Sequence, residues 1–427
     1  MVKGIRQLVA ISVITGISAV AGAQGTGGTS PSAGQARTAS SKGKQASAPA
    51  MTPQQKFVLD TVKMAVALPQ PDPQDRLRVL SSAADVVATV DRKMAKNLWR
   101  EGVRIESDLI SVGKTPAVSL MQSGQADCAS MENFVENLPD ASALQAEQSL
   151  ISAVTSCPRQ TLDTVSRKLD AAMSRNVVPA RALMATMEAQ GPSSPWSQQH
   201  FDRMFSSLPD PASYAKEAEN FAAMYAQMAP QVSKDLAQKS GLELLVWLGK
   251  MEDTPLRGMA IRITSGAMQE ALGEEGYKKA LSTDLVASST VQNAGPEREV
   301  ERPKEDSVSV LEAMKDNGSD RTENLRGMPA AQRAREAAAH GFAAGTAGQK
   351  QQAFKYFDMA FSALDEAWDA RKPETNTAAL VQEVGEAAAQ VDSVNALMRA
   401  QKLRDTSAQA IAMLAVARVV ASNGITR

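Results

Sequence analysis

Three segments of the chain set large apolar residues at helical spacing and then stop at a Leu-Pro pair. Met131, Phe134, Val135 and Leu138 occupy positions i, i+3, i+4 and i+7, and Pro139 follows. Phe201, Met204, Phe205 and Leu208 repeat the spacing and the ending at Pro209. A looser version, Val62, Met64, Ala65 and Leu68, ends at Pro69. Each stripe predicts a helix that buries one face, because 3.6 residues per turn bring such positions together. These are the only Leu-Pro pairs in the chain, and they stand 70 residues apart. An Asp follows each of them (Asp72, Asp140, Asp210) and can cap the next helix. A unit of that length holds about four short helices, or two hairpins of about 35 residues, the size of known helical-hairpin repeats. A repeat origin and a chance recurrence of helix ends both account for the spacing.

Prolines mark further helix starts, since the first helical turn does not need the missing N–H. Thr52-Pro53-Gln54-Gln55 offers a threonine cap and a Gln where a capping box needs it. Asp72-Pro73, Thr115-Pro116, Ser194-Pro195, Asp210-Pro211 and Thr254-Pro255 carry the same signal. Cys157-Pro158, Val178-Pro179, Ala229-Pro230 and Met328-Pro329 are weaker forms without the best cap side chains. Val90-Asp91 and Val391-Asp392 place an Asp between apolar helical runs, where it can cap a new helix. No period-two alternation bounded by hairpin turns occurs. The expected class is all-α, an α-solenoid-like array of antiparallel helical hairpins with little or no β structure. The low aromatic content of 4% and the abundance of Ala and Met suit close-packed helices.

The two ends of this pattern differ from its body. Residues 1–23 read as a signal peptide, with Lys3 and Arg6 before an apolar run from Leu8 to Val20 and small residues up to a cleavage point between Ala23 and Gln24. The apolar run is about 13 residues, against roughly 20 needed to span a bilayer, which favours cleavage over anchoring. No Cys follows the small residues, as a lipid anchor would require. Residues 24–51 form a Gly/Ser/Ala-rich segment with no large apolar side chain before Met51, and should be a flexible tether. A helical-repeat domain is expected over 52–285, a charged, proline-bearing linker over 286–306, and a C-terminal helical domain over 307–427. A second loop-like stretch runs from Lys315 to Gly327. No later stretch is long and apolar enough to span a membrane. The mature chain is expected to be exported, to the periplasm or beyond the cell.

Charge and cysteine content narrow the partners. The net charge of −1 becomes −3 without Lys3 and Arg6, and −6 once the tether with Arg37, Lys42 and Lys44 is also set aside. An acidic body argues against nucleic acid. Cys128 and Cys157 are the only cysteines. In an oxidising compartment they are a disulfide candidate, closing a loop of about 30 residues, and the alternative is two separately buried thiols. Their spacing is not that of a C-x-x-C redox motif.

Residues 330–370 carry a familiar pattern. Gly341 sits late in one predicted helix, Gly348 in a turn, and Ala353, Phe357 and Ala360 in the next. This order resembles a tetratricopeptide-type helical hairpin over about 35 residues. The segment lacks the Trp or Leu early in the first helix, has Ala344 at the usual large aromatic, and has no closing Pro. The resemblance implies stacked hairpins with a concave, protein-binding face.

Candidate chemistry is sparse. His200 and His340 are the only histidines, lie on separate predicted helices, and read as packed or surface residues. There is no H-E-x-x-H, no Cys/His cluster, no G-x-S-x-G and no phosphate-binding Gly loop. Ser213 and Lys216 have S-x-x-K spacing without its companion motifs. Glu274 and Glu275, near Tyr277, are a candidate acid pair, or mark a helix N-terminus. Trp99, Trp196, Trp247 and Trp368 are too scattered for a sugar platform, and Met184, Met187, Met224 and Met228 fall at helical spacing as core or as an adaptable groove. No catalytic, cofactor-binding or metal residues are therefore expected. The expected function is a non-enzymatic exported scaffold that binds a protein or cell-envelope partner. The alternative is an all-helical envelope enzyme using carboxylate acid/base chemistry on a glycan, with an acid such as Glu275.

Overall fold

The computed structural model describes residues 51–212, 218–294, 322–371 and 376–423. Among them the fold is all-α, with helices and short turns and no strand. The helices are α1 (Pro53–Ala67), α2 (Pro73–Val87), α3 (Arg92–Ser111), α4 (Cys128–Asn137), α5 (Glu147–Ser156), α6 (Pro158–Met173), α7 (Ala180–Gln190) and α8 (Pro195–Ser206). They continue as α9 (Ala218–Met228), α10 (Lys234–Gly249), α11 (Pro255–Thr283), α12 (Leu285–Gln292), α13 (Ala330–Thr346), α14 (Lys350–Asp369), α15 (Thr377–Ala400) and α16 (Thr406–Asn423). A single helical turn, Thr322–Arg326, precedes α13. No helix of the described residues is long and apolar enough to cross a membrane.

Local chemistry sets most of the starts. Thr52 accepts the N–H of Gln55 while the Gln55 side chain accepts that of Thr52, a complete capping box. Asp72, Asp91, Asp127, Ser194, Ser233 and Thr254 each accept a first-turn N–H with their side chains. Asp392 accepts the N–H groups of Val394 and Asn395 and restarts the helix inside α15, where its own backbone is extended. Thr115-Pro116 departs from the expectation. Its residues form a loop, because the Gln74 side chain donates to the Thr115 carbonyl at 2.9 Å and accepts from the Ala117 N–H at 2.7 Å. A side chain 41 residues away thus satisfies the backbone groups that a helix would have used.

Leu68 and Leu138 end α1 and α4 in the same extended conformation, each N–H turned back to a carbonyl three residues earlier. Leu208 follows α8, and the Trp247 indole donates to the carbonyl of Pro209 at 2.6 Å. The stripes before them are buried, except that Met64 is exposed. Two residues on from Val62, it has rotated about 200° around the helix. The 70-residue recurrence is one of helix ends rather than of whole units. Three α-helices lie between Leu68 and the end of α4, and four between Leu138 and the end of α8. Asp140 opens a 3-10 turn instead of capping an α-helix, and its carboxylate accepts from Lys168.

Packing runs from neighbour to neighbour: α1 on α2, α2 on α3, then α4 to α7 among themselves, α7 on α8, α8 on α10, and α9 to α12 around α10 and α11. The C-terminal helices do not extend this line. Helix α16 packs against α15 and against α1 and α2, while α13 packs on α14 and α15. Val286 to Gln292, the first part of the stretch expected as a linker, belongs to α12, and residues 295–321 lie outside the described residues. So do the cleavage position at Ala23 and Gln24 and the tether up to Ala50.

The 330–370 segment forms the hairpin that its pattern predicts. Gly348 makes the turn at φ +79°, and Ala353, Phe357 and Ala360 are buried against α13. A Cβ on Gly341 would meet the Phe357 ring at 2.9 Å. Cys128, at the start of α4, and Cys157, between α5 and α6, stand at disulfide distance, with Cα atoms 5.4 Å apart.

Three substitutions test this packing. Cys157→Ser should lower the urea-unfolding stability by about 3–4 kcal/mol through the lost loop constraint, and alkylation of the unreduced chain should find no free thiol. Gly341→Ala should destabilise by about 1–3 kcal/mol, overpacking against Phe357 outweighing the roughly 1 kcal/mol gain in helix propensity. Gly266→Ala in α11, where a Cβ meets nothing within 4 Å, should instead stabilise by about 0.5–1 kcal/mol.

Candidate functional site

A polar cleft opens where α2 faces the C-terminal helices. Asp75, Arg78, Ser82 and Asp85 lie at i, i+3, i+7 and i+10, so one face of α2 presents all four. The loop clamped by Gln74, the end of α14, the first turn of α15 and the apolar helix α16 supply the other walls. The cleft has two adjoining sections of about 460 and 440 Å³, which share Arg78, Ala117 and Ala378.

Its charges are held by one another. Asp75 is 2% exposed, and its two carboxylate oxygens accept from Arg78 and from Arg371, each at 3.1 Å. A buried carboxylate is tolerated because two guanidiniums replace its lost water. The Arg371 guanidinium lies 4.0 Å over the Trp368 ring, a cation–π contact that fixes its plane. Farther along, Arg418 donates to Ser82 at 3.0 Å and pairs with Glu386 at 3.1 Å. Asp85 accepts from the Ser123 hydroxyl at 2.8 Å. Burial raises its pKa above the usual carboxylate value, against the opposing pull of Ser123 and Arg418.

Trp368 adds an unusual feature. It lines the first section, is 4% exposed, and its indole N–H has no hydrogen-bond partner. The other indoles have carbonyl or carboxylate acceptors: Leu120 for Trp99, Asp170 for Trp196 and Pro209 for Trp247.

Of the residues named from the sequence, Asp72 and Trp368 line the first section, and the candidates for chemistry lie elsewhere. His200 is buried, stacked on Trp196, with one ring nitrogen 2.6 Å from Asp170 and the other 2.8 Å from the Trp196 carbonyl. His340 is buried beside Tyr356 in the α13–α14 hairpin. Glu274 and Glu275 are exposed on α11 just after a kink at Gly273, and Glu274 pairs with Lys278. Met187, Met224 and Met228 are core residues. Ser213 and Lys216 fall outside the described residues. The disulfide pair lines neither section of the cleft. No group of three potential ligands that could hold a metal occurs among the described residues.

The cleft residues were missed because their partners are distant in the chain, Asp75 and Arg371 by 296 residues. One signal was present. Arg418 is the only charge in the apolar run from Thr406 to Asn423, and a charge on a buried helix needs a partner.

Glu106, the other deeply buried carboxylate, is structural. It is fully buried on α3, accepts from the Leu120 N–H at 2.9 Å and the Ser149 hydroxyl at 2.6 Å, and ties α3 to α5 and the turn between them. Burial raises its pKa despite these bonds.

Comparison of the chain with protein-family models, with characterised proteins and with solved structures finds no match.

The raised pKa of Glu106 sets a sign. The folded state favours the protonated acid, so its contribution is fully present below the ordinary carboxylate pKa and is lost as pH rises through the folded value. The stability of the wild type relative to Glu106→Gln, measured by urea unfolding, should therefore fall as pH rises above the ordinary carboxylate pKa. A difference that stays flat or rises would contradict this.

Proposed function

We propose that the chain is an exported, non-enzymatic helical scaffold, with tetratricopeptide-like hairpins, that holds a protein or cell-envelope partner in the cleft between α2 and the C-terminal helices. The observation that carries this reading is the preset charge of the cleft. Asp75 is held by Arg78 and Arg371, and Arg418 by Ser82 and Glu386, before any ligand arrives. Side chains fixed in ion pairs present donors and acceptors at little further ordering cost, as binding requires. The seam between two groups of helices is also where clefts that take ligands tend to form. The exported setting rests on the N-terminal signal pattern and suits the Cys128–Cys157 pair.

One observation favours a second reading. Asp85 lines the same cleft with a raised pKa, the property a general acid acting on a glycan would need. Photo-cross-linking separates the two. A cross-linking residue in place of Ser81, in the mature chain mixed with envelope extract, should give one discrete adduct at about one partner per chain. The same residue in place of Glu136, exposed on α4, should give none. Turnover of peptidoglycan or another envelope glycan that Asp85→Asn abolishes would overturn the scaffold reading.

A further inference from the structure

The first section of the cleft has donors in excess of its own acceptors. Arg78 and Arg371 each use one N–H on Asp75, out of the five that a guanidinium carries. Their side chains remain 32% and 34% exposed, and both line the same hollow. The carboxylate between them is single, so the three groups together carry one net positive charge. Asp72 also lines the hollow and caps α2 by accepting the Gln74 N–H, so the four charged side chains of this section sum to zero and its surplus is one of donors rather than of charge.

Two further features converge there. The first turn of α15 lines the cleft through Thr377 and Ala378 and brings the positive end of the helix dipole there, with the Asn376 side chain capping the turn by accepting the Ala379 N–H at 3.3 Å. Trp368, almost wholly buried in the same wall, keeps an N–H with no acceptor in the protein. Leaving such a donor unmet costs stability, and its resonance reports on the wall that carries Arg371. Guanidiniums that a carboxylate and an aromatic ring hold in place suit the planar, two-oxygen face of an oxyanion.

We infer that this section binds an oxyanion, a carboxylate or phosphate group carried by the partner, seated between Arg78, Arg371 and the first turn of α15. The inference rests on reading the cleft as a binding site and names the group that it recognises. The bidentate fork of arginine matters here as well as its charge, so lysine should serve poorly at either position.

The test uses the mature chain and the indole N–H resonance of Trp368 in heteronuclear NMR spectra, assigned with Trp368→Phe. Titration with inorganic phosphate and separately with acetate, at constant ionic strength set by chloride, should shift that resonance saturably with at least one of them. The anion with the lower midpoint identifies the source. Arg371→Lys and Arg78→Lys, which keep a cation beside Asp75, should each raise the midpoint at least tenfold. Arg335→Lys, on the exposed face of α13, should leave it unchanged. Absence of a saturable shift in the folded wild type, or equal midpoints in the lysine variants, would overturn the inference. Anion binding without any captured partner would sink only the scaffold reading. A captured partner whose binding survives Arg371→Lys would sink only the oxyanion.

Discussion

Helix α16 is apolar around its circumference apart from Arg418 on the cleft side, and the rest of the architecture accommodates it. Ala408, Ala410 to Ala417 and Val419 are buried around its whole circumference. A helix of that kind cannot lie on a surface, because one face would always expose hydrocarbon to water. It is enclosed by α15 on one side and by α1 and α2 on the other, so the last described helix is drawn back onto the first two. The contact between Thr406 and the Pro69 carbonyl, at the first Leu-Pro ending, belongs to the same seam.

The cleft follows from that closure. Bringing α2 against the C-terminal helices places charged groups from two distant parts of the chain in a partly dehydrated space. Isolated charges there would be costly, so they appear as pairs and triads: Arg78–Asp75–Arg371 and Ser82–Arg418–Glu386. These contacts orient the seam more than they stabilise it, since the guanidiniums are about one-third exposed and screened by water. The apolar faces of α16, α1 and α2 supply the stability. The ion pairs bridge α2 to the C-terminal helices, and the two sections of the cleft lie along that contact.

Away from the seam, the structure is knitted by local devices. Glu106 ties α3 to α5, the Cys128–Cys157 pair joins α4 to the α5–α6 junction, and Trp247 holds the third Leu-Pro ending through Pro209. These hold successive helices to their neighbours.

What the sequence settled was whatever depends on residues within one or two turns of each other. The all-α class, the capping box at Thr52, the caps at Asp72, Asp91 and Asp392, and the hairpin turning at Gly348 are all local. Their hydrogen bonds and dihedral preferences act over a few residues, so they can be read from spacing. Leu68-Pro69 and Leu138-Pro139 prove to be helix ends of the same conformation for the same reason. The loop at Thr115, the seat of α16 and the whole cleft were decided only by the tertiary structure. Gln74 reaching Thr115, Arg371 reaching Asp75 and Arg418 reaching Ser82 are interactions between groups 41, 296 and 336 residues apart. A periodic pattern tells which face of a helix seeks cover, but hydrophobic burial is non-directional and does not name the covering partner. That choice is made by shape and charge once the helices meet.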